Sequence, residues 1–194
     1  MVHDARRLIS IQVGLPREVE SDHKTVRTSI WKSPVTGTVR VGKLNLEGDA
    51  QSDLSVHGGP DKAVYAYPSE HYAFWRSELP DLELAWGAFG ENLTLAGVLE
   101  PEVQIGDRFR IGTAAFRVTR PRLPCFKLGI RFGRADMVKR FLHSGRTGWY
   151  FAVESEGEIT AGDAIEITRR DGDGETVPEM VARLTSGPRG RQQE

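Results

Sequence analysis

A chain of 194 residues with 26 basic against 27 acidic side chains carries a formal net charge of −1, so no global field draws it to nucleic acid or an anionic membrane, and any anion site must be local. At 39% hydrophobic and 27% charged residues it is neither disordered nor collagen-like, and surface scaling lets roughly 70% of the unfolded surface be buried, enough for one core. The single cysteine, Cys125, excludes an internal disulfide, a four-cysteine zinc or iron–sulfur site and a two-cysteine redox pair.

That cysteine usage suits a reducing compartment. The opening MVHDARR has no apolar run behind it, and no stretch approaches the roughly 20 apolar residues that span a bilayer. The expectation is a cytoplasmic protein with no membrane contact.

From Leu8 to Val41 the chain reads LISIQVG, TSIWKSPV and GTVRV, β-branched runs broken by Gly14, Pro34 and Gly37, which predict strands. AVYAYP, Ala63 to Pro68, continues the pattern, and Tyr72, Trp75, Arg76 and Leu79 then have the spacing of one short amphipathic helix ended by Pro80. Further strands are expected in GENLTLAG, IGDRFRIG and AAFRVTR, a second helix near Ala135 to Leu142, and last strands in GWYFAVE and DAIEITRR. Gly48-Asp49, Gly106-Asp107 and Gly162-Asp163 read as turns.

Many short strands with frequent turns and two internal helices predict a mainly β fold, a closed or nearly closed β-barrel with a few short helices. Residues 1–170 form that domain. Residues 171–194 read as an acidic glycine linker, a short helix over Glu179 to Leu184 with Thr176 and Glu179 at capping-box spacing, and a polar tail.

Two segments carry candidate chemistry. In GDAQSDLSVHGGPDKAVYAY, Gly58 and Gly59 permit a backbone nest for an anion, with His57 and Lys62 as charge-assisted donors, although a turn entering the strand at Ala63 is the simpler reading. In VTRPRLPCFKL, Pro121 and Pro124 hold Cys125 in an extended loop between Arg122 and Lys127, cations that favour a thiolate able to attack electrophiles or ligate soft metals. Weaker signals are Glu91-Asn92 at a strand start and Trp149-Tyr150 after a flexible turn, the aromatics being first of all packing residues.

Taken in order, HGG-PDKAVYAY, GENLT, IGD, PRLPCFKL and GWYF resemble the MOSC family, the domain named after the C-terminal part of molybdenum cofactor sulfurases, in its short stand-alone YiiM-like branch. The resemblance runs from about Ile9 to Ile167. It implies a β-barrel that binds the molybdenum cofactor, a pterin dithiolene with a phosphate tail, without pyridoxal phosphate. Cys125 would ligate molybdenum, and His57, Gly58, Gly59, Lys62, Tyr65, Glu91, Asn92, Thr119, Arg122 and Trp149 would hold the pterin and phosphate. Ala152 stands where this branch carries an arginine, and the helical C-terminal region is shorter than usual there.

The resemblance further implies reduction of small N-hydroxylated compounds, of the hydroxylamino-purine or amidoxime type, to their amines. Electrons would come from a separate donor protein, because the chain has one cysteine and no dinucleotide fingerprint. Two other readings of the same residues are a sulfur carrier with a persulfide on Cys125 and a non-catalytic cofactor-binding or insertion module.

Overall fold

The computed structural model describes residues 6–21, 23–52, 58–169 and 174–186. Its strands are β1 (Arg7–Val13), β2 (Arg17–Ser21), β3 (Lys24–Thr28), β4 (Ser33–Val35), β5 (Thr38–Val41), β6 (Val64–Pro68), β7 (Leu93–Ala96), β8 (Arg108–Ile111), β9 (Ala114–Pro121), β10 (Trp149–Ser155), β11 (Gly157–Thr160) and β12 (Ile165–Arg169). Four helices join them: α1 (His71–Glu78), α2 (Phe126–Phe132), α3 (Met137–His143) and α4 (Val177–Ser186).

Eight strands make one sheet in the order β12-β8-β9-β10-β6-β7-β1-β4. Every pair is antiparallel except β6 with β7, whose parallel pairing requires the long connection through α1. Strand β6 shows how the sequence builds the centre. Its alternate residues Val64 and Ala66 join the core on one face while Tyr65 and Tyr67 enter an aromatic cluster on the other, so all five residues are buried. The first core gathers Leu8, Ile11, Phe109, Phe116, Trp149 and Phe151, and the second packs Tyr72, Trp75, Phe89, Phe132 and Phe141 from the helices and their loops.

The class is mainly β, but the sheet does not close into the expected barrel. Strand β4 occupies the free edge of β1 from Ile11 to Val13, so β12 reaches β1 only at the Arg7–Ala164 bridge, reinforced by hydrogen bonds from Leu8 N–H to Asp163 O (2.9 Å) and Gly162 N–H to Leu8 O (2.7 Å). A hairpin of β2 and β3 and a two-stranded β5–β11 sheet stand apart. The run TSIWKSPV, read as one strand, is split: β3 ends at Thr28 and Ser29 to Lys32 form a loop before β4.

Helices α1 and α3 match the expected segments, α1 stopping one residue before Leu79, whose N–H bonds Trp75 O at 2.9 Å. Helix α2 follows Cys125 where only a loop was expected. Gly133 ends it in the left-handed region (φ 62°), its N–H reaching Gly129 O and Ile130 O.

The linker's acidic residues Asp171 and Asp173 and the tail after Ser186 lie outside the described residues. The intervening helix is docked on the sheet. Val177 is fully buried in the core, its N–H bonding Val103 O at 3.0 Å, while Ile105 N–H bonds Glu175 O at 2.9 Å. The Thr176–Glu179 capping box is present, with Thr176 N–H on Glu179 Oε2 at 2.8 Å and Glu179 N–H on Thr176 Oγ1 at 3.4 Å.

Candidate functional site

Cys125 sits at the junction between β9 and α2, in extended backbone (φ −129°, ψ 174°), because Pro124 before it resists helix and the residues after it begin one. It is partly exposed and lines a cavity of about 100 Å³ together with Lys32, Lys62, Arg122 and Lys127. Among the described residues one carboxylate, Asp49, also lines it and pairs with Lys32, which leaves an excess of positive charge around the cysteine.

Arg122 is the group that most needs a ligand. It is only 6% exposed, its guanidinium carbon lies 5.5 Å from the Tyr65 ring and 5.0 Å from the Phe141 ring, and its Nη1 is buried without a hydrogen-bond partner. Among the described residues no carboxylate lies within ion-pair distance of it. Burial opposes its charge, and the facing Tyr65 and Tyr150 phenols, themselves pushed up by burial, favour the cation only once they ionise, so they supply no counter-charge at neutral pH. Tyr65 itself is fixed by its hydroxyl, which donates to Thr147 O at 2.9 Å, and its phenol is pushed up chiefly by burial.

The opposite wall is held by Asp49. One carboxylate oxygen accepts the Gly14 N–H at 2.8 Å and a short contact from Lys32 Nζ, and the other accepts Asn92 Nδ2 at 2.9 Å. Asn92 Oδ1 in turn accepts the Tyr65 N–H at 3.1 Å. Burial lowers the Lys32 pKa despite this pairing. Ser29, also in the wall, has a buried hydroxyl without a partner.

Lys62 ends a 3-10 turn, Pro60–Lys62, entered through Gly59 at φ 91°. Burial and then the charge of Arg120 lower its pKa, while Cys125 pulls it up. Among the described residues no three of His, Cys, Asp and Glu are grouped to hold a bare metal ion, so a metal on Cys125 would take its other ligands from a bound group.

The MOSC domain model matches residues 53–166, more than half of the chain. The chain belongs to the MOSC family. It is 44% identical over 177 residues to the uncharacterized protein YflK of Bacillus subtilis (strain 168), spanning 91% of this chain and 80% of that one. It is 36% identical over 148 residues to a protein named Reductase from Gibberella moniliformis, spanning 75% of this chain and 26% of that one. The structure matches the crystal structure of YiiM from Geobacillus stearothermophilus with a TM-score of 0.76 at 32% identity, over 97% of this chain and 89% of that one.

Of the residues the sequence singles out, this MOSC domain brings Cys125, Lys62, Tyr65, Asn92 and Arg122 to one cavity. His57 lies outside the described residues. Of the nest expected at Gly58 and Gly59, the Gly59 N–H donates to Gln51 Oε1 at 2.9 Å. Glu91 does not line the cavity. It is fully buried behind it, accepting a short bond from the Tyr72 hydroxyl and the N–H groups of Gly87 (2.8 Å) and Phe89 (3.1 Å).

Thr119 and Trp149 are not brought to the cavity either. The Thr119 hydroxyl is within reach of Asp61 O (2.6 Å) and Tyr150 O (3.1 Å) at the point where the register of β9 and β10 shifts, and Thr119 lines a separate cavity with Asp61, Arg117 and Arg120. Strand alternation turns Trp149 into the first core beside Phe109 and Phe151 and sends Tyr150 to the cavity instead. Sequence reading missed Lys32 and Asp49 as wall residues. The turn pair Gly48-Asp49 was visible, but its partner Lys32, seventeen positions away, carries no local signal.

Among the described residues no helix is long and apolar enough to cross a membrane.

Proposed function

We propose that this MOSC domain is a molybdenum-cofactor-dependent reductase of small N-hydroxylated compounds. The observation that carries the reading is the buried Arg122, whose Nη1 has no partner and which faces the cavity that Cys125 lines. A buried cation without a counter-charge is costly, and an anionic ligand offsets that cost. The pairing of a guanidinium whose Nη1 is unmet with a soft thiol suits a molecule that carries both a phosphate and a metal.

In this reading Arg122 Nη1 binds an anionic oxygen of the cofactor, Cys125 Sγ ligates molybdenum, and Lys32, Asp49 and Asn92 hold the wall to which the pterin is fitted. When bound, the cofactor supplies two electrons which, with two protons, turn N–OH into N–H and water. Lys62 holds a proton at Nζ beside Cys125, and its lowered pKa makes that proton easier to release than that of an exposed lysine. Electrons reach the site from a separate donor protein. The relative named Reductase supports an oxidoreductase role, and family membership supports the cofactor.

The test is Cys125→Ser. A hydroxyl is a harder and far less acidic ligand than a thiol, so the variant keeps its melting temperature and loses reduction of hydroxylamine with a chemical reductant. Unchanged turnover would remove Cys125 from the reaction, and a one-sulfur mass increase on Cys125 in metal-free protein would favour the sulfur carrier.

A further inference from the structure

Cys125 and Lys62 border a second space. Beyond the cationic cavity, between the β2–β3 hairpin and helices α2 and α3, runs a groove of about 1000 Å³. The two spaces share Cys125 and Lys62 and differ in chemistry. Leu123, Phe126, Ile130 and Val138 give the groove an apolar wall, and Phe126 leaves 59% of its surface exposed there.

Phe126 and Ile130 stand four residues apart on α2 and so project from one face of that helix. The groove's charged side chains are of both signs: Arg134 is paired with Asp136 at 3.4 Å, Glu20 accepts the Thr25 hydroxyl at 2.6 Å, and Lys62 stands at the border with the smaller cavity. Among the described residues the smaller cavity is lined by Arg122 with its unmet Nη1, whereas none of the groove's lining side chains has a buried polar atom without a partner. The groove's size is that of a small-molecule site, and its lining repays an apolar body better than a phosphate.

We propose that this groove is the substrate subsite. It takes uncharged N-hydroxylated compounds, the apolar body against Phe126, Ile130 and Val138 and the N–O bond directed to Cys125, while anionic ligands enter the cavity at Arg122. The identity of the reacting group rests on the reductase reading. The division between an apolar and an anionic side rests on the two linings.

The chain's one cysteine reports on its own site, since each molecule can be alkylated once and counted by intact mass. The full-length chain, purified from a host that makes no molybdenum cofactor and checked for a cooperative melt, is treated with iodoacetamide in the presence of benzamidoxime or of inorganic phosphate. At about ten times its dissociation constant, benzamidoxime slows alkylation about tenfold by mass action. In Ile130→Trp and, separately, Val138→Trp, both at half-exposed positions on different helices, that protection is lost while protection by phosphate persists. Arg122→Met shows the reverse.

Benzamidoxime protection that survives both tryptophan variants would overturn the assignment, as would failure of benzamidoxime to protect the wild type. An alkylation rate that falls with protein concentration would assign the groove to a second copy of the chain and overturn it equally. Because these readouts need no metal, they remain decisive even where the purified holoprotein proves to carry no molybdenum, a result that would strike only the reductase reading.

Discussion

The side-chain amide of Asn92 donates to Oδ2 of Asp49 at 2.9 Å, joining residues 43 positions apart at the back of the cysteine-lined cavity. Asp49 Oδ1 meanwhile holds Lys32 and the Gly14 backbone. One buried carboxylate therefore fixes three loops, and the wall opposite Arg122 has the rigidity a binding site requires.

Asp49→Ala strands the Lys32 ammonium, whose side chain is 8% exposed. Removing one partner of a buried pair costs about 3–5 kcal/mol, and chemical denaturation should show a loss of that order. Asp49→Ala/Lys32→Met should recover part of it, because the stranded charge is gone. Equal stability for the single and double variants would mean that the Lys32 charge left behind carries no cost.

Arg122→Met is expected to separate stability from binding. An apolar side chain of similar length removes an uncompensated buried charge, so cofactor-free protein should melt at the same or a higher temperature. Retention of molybdopterin on desalting should fall, since a charge-assisted hydrogen bond of about 1.5–3 kcal/mol corresponds to a loss of roughly ten- to a hundredfold in affinity. A variant that melts lower and retains the cofactor would give Arg122 a structural role instead.

Much of this was legible in the chain. The apolar run AVYAYP marks a strand, Tyr72, Trp75 and Leu79 mark α1, and Arg122 and Cys125 stand together in PRLPCFKL. What local pattern does not carry is pairing at long range. The Lys32–Asp49–Asn92 network, the edge that β4 occupies against closure, and the docking of Val177 each depend on segments tens of residues apart. Trp149 and Tyr150 show the limit within one strand: adjacent aromatics were visible, but the strand's phase, which sends Trp149 to the core, is set by its pairing with β6 and β9.

Glu91 should give stability a pH signature. Burial raises its pKa above the ordinary 4.5, with hydrogen bonds from Tyr72, Gly87 and Phe89 pulling it back. The folded chain thus binds the proton more tightly than the unfolded one. That contribution is complete below about pH 4.5 and is lost as pH rises through the raised folded value, with a slope of at most about 1.4 kcal/mol per pH unit. Glu91→Gln lacks this slope. Parallel pH profiles of unfolding free energy for wild type and variant would contradict the assignment.

The sequence places the domain boundary at Arg170, but the helix beyond it packs Val177 into the core. Ending the chain at Arg170 removes the burial of Val177 and two backbone hydrogen bonds, to Val103 and from Ile105. The protein should still fold but lose roughly 3 kcal/mol, read by urea denaturation of the two lengths. A difference below about 0.5 kcal/mol, the range of neutral surface changes, would show that the docked segment contributes nothing.

The central claim is that Cys125 and Arg122 together hold a molybdenum cofactor. The most direct measurement is the molybdenum content of wild type, Cys125→Ser and Arg122→Met, each purified from a host that makes the cofactor and analysed by mass spectrometry of the metal and of released pterin. The account predicts molybdenum and pterin in equal amounts on the wild type, with both depleted in Arg122→Met and the metal depleted in Cys125→Ser. Wild-type protein that carries neither metal nor pterin under those conditions would contradict it.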